Sequence, residues 1–91
     1  MVDKLKDIEF NKENWLLNRE KRYTMISSII NKKLAIGLTK EEIIDFLGFE
    51  FNDIHSNIWT YFIGKRFFFS TKKKLFIYFN DAGKVYKLTK K

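Results

Sequence analysis

The apolar positions of this chain change period once, and the change divides it into a helical half and a strand half. Trp15, Arg19, Tyr23, Ile26, Ile29, Ile30 and Leu34 recur at three- and four-residue steps, which is the spacing of one helix face. Asn11 is a suitable N-cap, Glu13 suits the first turn, and Lys32-Lys33 suit the negative end of the helix dipole. The pattern predicts one amphipathic helix from about Lys12 to Lys33, then a connection at Ala35-Ile36-Gly37. A second, shorter helix is written over residues 40–47. Thr39 and Glu42 form a capping box, Leu38 and Ile43 a hydrophobic staple, and Gly48 is the stop. Ile43, Phe46 and Leu47 share its apolar face.

After a loop over 49–57 with apolar anchors, the period becomes two. Ile58 to Ile63 is β-branched and aromatic, with Trp59, Tyr61 and Ile63 on one side and Ile58, Thr60 and Phe62 on the other. Gly64 reads as a bulge, and Phe67-Phe68-Phe69 as a continuation of the strand. Ser70 to Lys73 has the length of a hairpin connection. Lys74 to Phe79 forms the second strand, Asn80-Asp81-Ala82-Gly83 a tight turn, and Lys84 to Thr89 the third strand. The predicted fold is α+β, with two N-terminal helices packed on one face of a three-stranded antiparallel meander sheet. Residues 1–10 read as a loose arm, and 11–91 as a single helix-helix-β-β-β domain.

Composition narrows the chemistry. Without cysteine there is neither a disulfide framework nor a thiolate metal site. No apolar run approaches the roughly 18 residues that span a bilayer, and the first residues hold no apolar signal core. A cell-envelope location follows if a targeting segment has been removed, and a cytoplasmic one if Met1 is the native start. The net charge of +7 is unevenly placed. Residues 1–63 carry nine Lys/Arg against ten Asp/Glu, whereas residues 64–91 carry nine against Asp81 alone. One positive face suits nucleic acid, anionic lipid or an acidic protein.

Gly37-Leu38-Thr39, Ile43 and Leu47-Gly48, then Trp59 and Tyr61, then Phe79-Asn80-x-x-Gly83-Lys84-Val85 stand in an order that carries a family likeness. Over residues 34–88 the chain resembles the small bacterial outer-membrane lipoproteins of the SmpA/OmlA (BamE) family, a subunit of the β-barrel assembly machinery. Phe49-Glu50 stand where that family's pattern has a proline, and the family's lipid-bearing cysteine and signal peptide have no counterpart here. The long first helix is more like uncharacterised bacterial relatives of the same fold, which also occurs in β-lactamase inhibitory proteins. The resemblance implies a non-enzymatic protein-binding module of the bacterial cell envelope, with no cofactor. An inhibitor or immunity-type role is a further reading from the same fold analogy.

The residues give little for catalysis. His55 has Asp53 and Ser56 nearby in sequence but neither an evident nucleophile nor a second ligand. Glu41, Glu42 and Asp45 are accounted for by capping and the helix dipole. The four glycines sit at boundaries and make no phosphate loop. Binding has more to work with, because both sheet faces are apolar and something should cover the outer one: the arm, a second copy or a partner. The expected partner surface is Trp59, Tyr61, Phe68, Phe76 and Tyr78, rimmed by Lys65, Arg66, Lys72, Lys73 and Lys74. The long hairpin also offers an edge through which a strand-swapped dimer could form. The same basic and aromatic hairpin could instead stack single-stranded nucleic acid, although the order of its residues is not that of the RNA-recognition motif.

Overall fold

Thr39 caps the helix that ends at Gly48, as its neighbours require. Its hydroxyl accepts from the Glu42 N–H at 3.2 Å, and Glu42 Oε1 accepts from the Thr39 N–H at 2.9 Å. The computed structural model describes residues 9–64 and 73–90. Within them, three short α-helices, α1 (Lys12–Leu17), α2 (Ile26–Asn31) and α3 (Lys40–Leu47), precede three strands, β1 (Ile58–Gly64), β2 (Lys73–Phe79) and β3 (Val85–Lys90). The sheet is antiparallel in the order β1-β2-β3, and the fold is α+β. Phe67–Phe69, residues 70–72 of the hairpin connection and residues 1–8 of the expected arm lie outside the described residues. Phe10, at the arm's end, packs its ring 4.5 Å from that of Phe46.

The long first helix is a correction. Asn18 leaves helical geometry at φ −118°, ψ 66°, and residues Arg19–Met25 form a 3-10 helix before α2 begins. No Pro or Gly between Lys12 and Lys33 announces the break. Its cause is tertiary. Arg22 Nε donates to the Trp15 carbonyl at 2.7 Å, taking an acceptor that a continuous helix would have given to residue 19. The tighter winding of three residues per turn then places Arg22 and Met25 on one line, and both are buried.

β1 follows the period-two pattern with Trp59, Tyr61 and Ile63 inward. Leu75, Ile77 and Phe79 of β2 join them, and Trp15, Met25, Ile26, Ile29, Ile43 and Leu47 complete the core from the helical side. Each fully buried aliphatic side chain contributes on the order of 1.5–3 kcal/mol relative to exposure. The register slips between Phe62 and Gly64, as expected of a bulge there. A second slip falls between Tyr78 and Phe79 opposite Tyr86. Gly48, at φ +86°, stops α3 against α1, and a Cβ there would lie 3.1 Å from Leu16 Cδ2.

The core's buried polar atoms are tied to the end of α3. Trp15 Nε1 donates to the Leu47 carbonyl at 3.1 Å, and the Tyr61 hydroxyl donates to the Gly48 carbonyl at 2.7 Å. Burial, reinforced by the Glu50 carboxylate, raises the Tyr61 pKa well above the ordinary phenol value of 10.0. The folded state therefore holds this proton more tightly than the unfolded chain does. Its contribution to stability is complete below pH 10 and is lost as the pH climbs above it. In an alkaline titration, one tyrosinate of the four tyrosines should form only as the protein unfolds. Tyr61→Phe should remove that coincidence of absorbance and unfolding.

Candidate interaction surface

The segment after α3 inverts the usual inside-outside rule. Phe49 and Phe51 are 47% and 98% exposed, while Glu50 and Asn52 between and beside them turn toward the protein. Phe49 still sets its ring edge-on to that of Trp59 at 6.0 Å, whereas Phe51 anchors nothing, and the loop's polar residues make the hydrogen bonds that hold it. Asn52 lies along the free side of β1 like a short piece of strand. Its Nδ2 donates to the Thr60 carbonyl and its Oδ1 accepts from the Thr60 N–H, both at 3.0 Å. Ser56 Oγ accepts from the Ile58 N–H at 3.1 Å and donates to the Ile58 carbonyl at 2.9 Å. Glu50 Oε1 accepts from the Phe62 N–H at 3.3 Å, and Arg22 Nη1 donates to the Phe62 carbonyl at 2.9 Å. Every outward backbone group of residues 58, 60 and 62 is thus satisfied by a side chain. The hairpin edge expected to be open for strand exchange is capped over this stretch.

Phe51 holds φ +59°, a left-handed conformation that is costly for a bulky side chain. It is one wall of an open groove of about 390 Å³ at the rim of the outer sheet face, with Arg19, Phe49, Thr60, Phe62 and Lys74 as other walls and Glu50 in the floor. Arg19 lies over the Phe62 ring at 5.1 Å and 3.7 Å from Glu50. Beside the groove, Ile58, Tyr78 and Lys87 make one cross-strand row of the outer face, and Thr60, Phe76 and Thr89 the next. Lys87 Nζ sits 5.2 Å from the Tyr78 ring centroid. Ile54 and Ile58 are each about half exposed.

Of the residues expected to form a partner surface, Phe76 and Tyr78 are half-buried on the outer face and Lys74 is exposed there. Trp59 and Tyr61 are not part of it, a second correction: both are fully buried on the inward face. Their polar atoms are used internally, Trp59 Nε1 donating to the Asp53 carbonyl at 2.9 Å and Tyr61 to Gly48. Lys65, Arg66, Phe68 and Lys72 lie outside the described residues, as does the side chain of Lys73. His55 is exposed, and its backbone N–H donates to Asp53 Oδ1 at 2.9 Å. Among the described residues, no three His, Cys, Asp or Glu side chains cluster as metal ligands. No helix among them is long and apolar enough to cross a membrane.

The chain matches no protein-family model, no curated protein and no solved structure. Phe51 and Asn52, the residues that make this surface, carry no distinguishing signal in the sequence. Replacing Asn52 by Ala leaves the N–H and C=O of Thr60 without their partners and reopens the β1 edge. Asn52→Ala should lower the unfolding free energy by about 1–2 kcal/mol in urea denaturation, and sedimentation should show stronger concentration-dependent association than for the parent chain.

Proposed function

We propose that this protein is a non-catalytic protein-interaction module, binding its partner through the 49–58 loop and the adjoining outer sheet face. The observation that carries this reading is Phe51. A phenylalanine 98% exposed in left-handed backbone contributes nothing to the core and costs roughly 1–2 kcal/mol to hold there. An exposed aromatic held in this way is free to serve as a contact for a partner. Phe49 and Phe62 line the same groove, in the manner of an aromatic anchor ringed by lesser contacts. Arg19, Lys74 and Lys87 form a basic rim that would steer an acidic partner. The likeness of residues 34–88 to the BamE-like lipoproteins supports the same class of function, and a cell-envelope protein is the partner it suggests.

The test separates binding from folding. Asparagine tolerates left-handed geometry, so Phe51→Asn should raise the unfolding free energy by about 0.5–1 kcal/mol. A photo-crosslinking benzoylphenylalanine at position 51, introduced in the native cells, should give a discrete adduct with one protein. The same probe at exposed Glu41 should not. Loss of stability in Phe51→Asn, or adducts only to nucleic acid with a steep fall in yield as salt rises, contradicts the proposal.

A further inference from the structure

The two edges of the sheet are treated differently, and the difference points to a second binding mode. Residues 58, 60 and 62 of β1 turn their backbone groups outward to Ser56, Asn52, Glu50 and Arg22, so residues 59 and 61 pair with β2. Antiparallel alternation then directs Phe76 and Tyr78 of β2 toward Thr89 and Lys87 of β3. Leu88 and Lys90 therefore turn their N–H and C=O away from the sheet. At the start of β3 that outer side is already in use. The Val85 N–H donates to the Leu38 carbonyl at 2.9 Å, and the Val85 carbonyl accepts from the Gly37 N–H at 2.8 Å. Beyond Val85, no described residue supplies a backbone or side-chain partner to that side of Leu88 or Lys90. A half-formed fourth strand ends where the open edge begins.

Alongside the open edge runs a groove of about 310 Å³, with Ile30, Ile36, Tyr86 and Leu88 as its apolar walls and Lys33 and Lys87 at its rim. Ile36 and Tyr86 are 40% and 56% exposed. Lys84, just before the strand, and Lys90, at its end, add further positive charge. We infer that the β3 edge from Tyr86 to Lys90 is a docking site for an extended acidic peptide, added as a strand with alternate apolar side chains in the Ile30–Ile36–Leu88 groove. Charge selects this occupant over a second copy. Two β3 edges brought together would set Lys84, Lys87 and Lys90 of one chain beside those of the other, and like charges across paired strands are destabilising. This site meets the Phe51 surface only at Lys87.

The probe is an acetylated nonapeptide of alternating glutamate and valine, titrated into the isotope-labelled full chain and followed by amide NMR. Binding should shift the resonances of Tyr86 to Lys90, Ile30 and Ile36, and should slow amide exchange at Leu88. N-methylation of the peptide at the residues that face the edge should abolish binding, while N-methylation at the other set should leave it intact. Lys87→Glu with Lys90→Glu should weaken it by at least about tenfold with an unchanged melting curve, and Phe51→Asn should not affect it. No shifts, or equal loss with both methylated peptides, overturns the inference. So does a Leu88 amide already protected in the free monomer, which would mean that the chain's own residues fill the edge. A dimer dispersed by Lys90→Pro overturns it as well, in favour of a second copy.

Discussion

One buried guanidinium holds the pieces of this small fold in register. Arg22 is 1% exposed, lies 4.5 Å from the Trp15 ring centroid, and donates to the carbonyls of Trp15 and Phe62. Its remaining partner is Glu50, 2.5 Å away, whose own side chain is 18% exposed. Desolvation pulls the Arg22 pKa down, and the Glu50 hydrogen bond and charge oppose that pull. A charge buried this deeply is tolerable only while it keeps its counter-charge and acceptors, and removing one partner of such a pair costs about 3–5 kcal/mol. The planar fork of arginine reaches α1, β1 and the loop after α3 at once, which the single point charge of lysine cannot do.

The loop depends on that anchor, and the surface depends on the loop. Glu50 is fixed from the inside by Arg22 and from the side by the Phe62 N–H. Two residues on, Asn52 is fixed by both backbone groups of Thr60. Phe51 lies between two clamped residues, and this is how its left-handed conformation is enforced without any contact that needs its ring. The same polar clamps close the β1 edge. Among the described residues, the strand edge left open is that of β3.

The fold class was legible because it rests on local signals. The capping box at Thr39, the stop at Gly48, the turn at Asn80 and the alternation of Leu75, Ile77 and Phe79 all stand as the residue types require. What could not be read were the places where a polar residue turns inward. Arg22 looked like an ordinary helical position, so the break after Leu17 went unsignalled. The loop over 49–57 was expected to hold by apolar anchors; Phe49 reaches Trp59, but Phe51 is exposed and Glu50 and Asn52 turn inward in its place. In β1 both faces are apolar, so nothing local chose between them. The choice was made by Trp59 and Tyr61 finding carbonyls at Asp53 and Gly48 for their polar atoms. Tertiary hydrogen bonding of this kind leaves no periodicity.

The most direct test of this account is a double-mutant cycle between Arg22→Lys and Glu50→Gln, read as unfolding free energy in urea. If the pair is the anchor of the loop, the two losses are strongly non-additive, with a coupling of about 1–3 kcal/mol. Losses that add to within about 0.5 kcal/mol would mean that Arg22 and Glu50 act independently, and that the loop is held in place by something other than the buried charge.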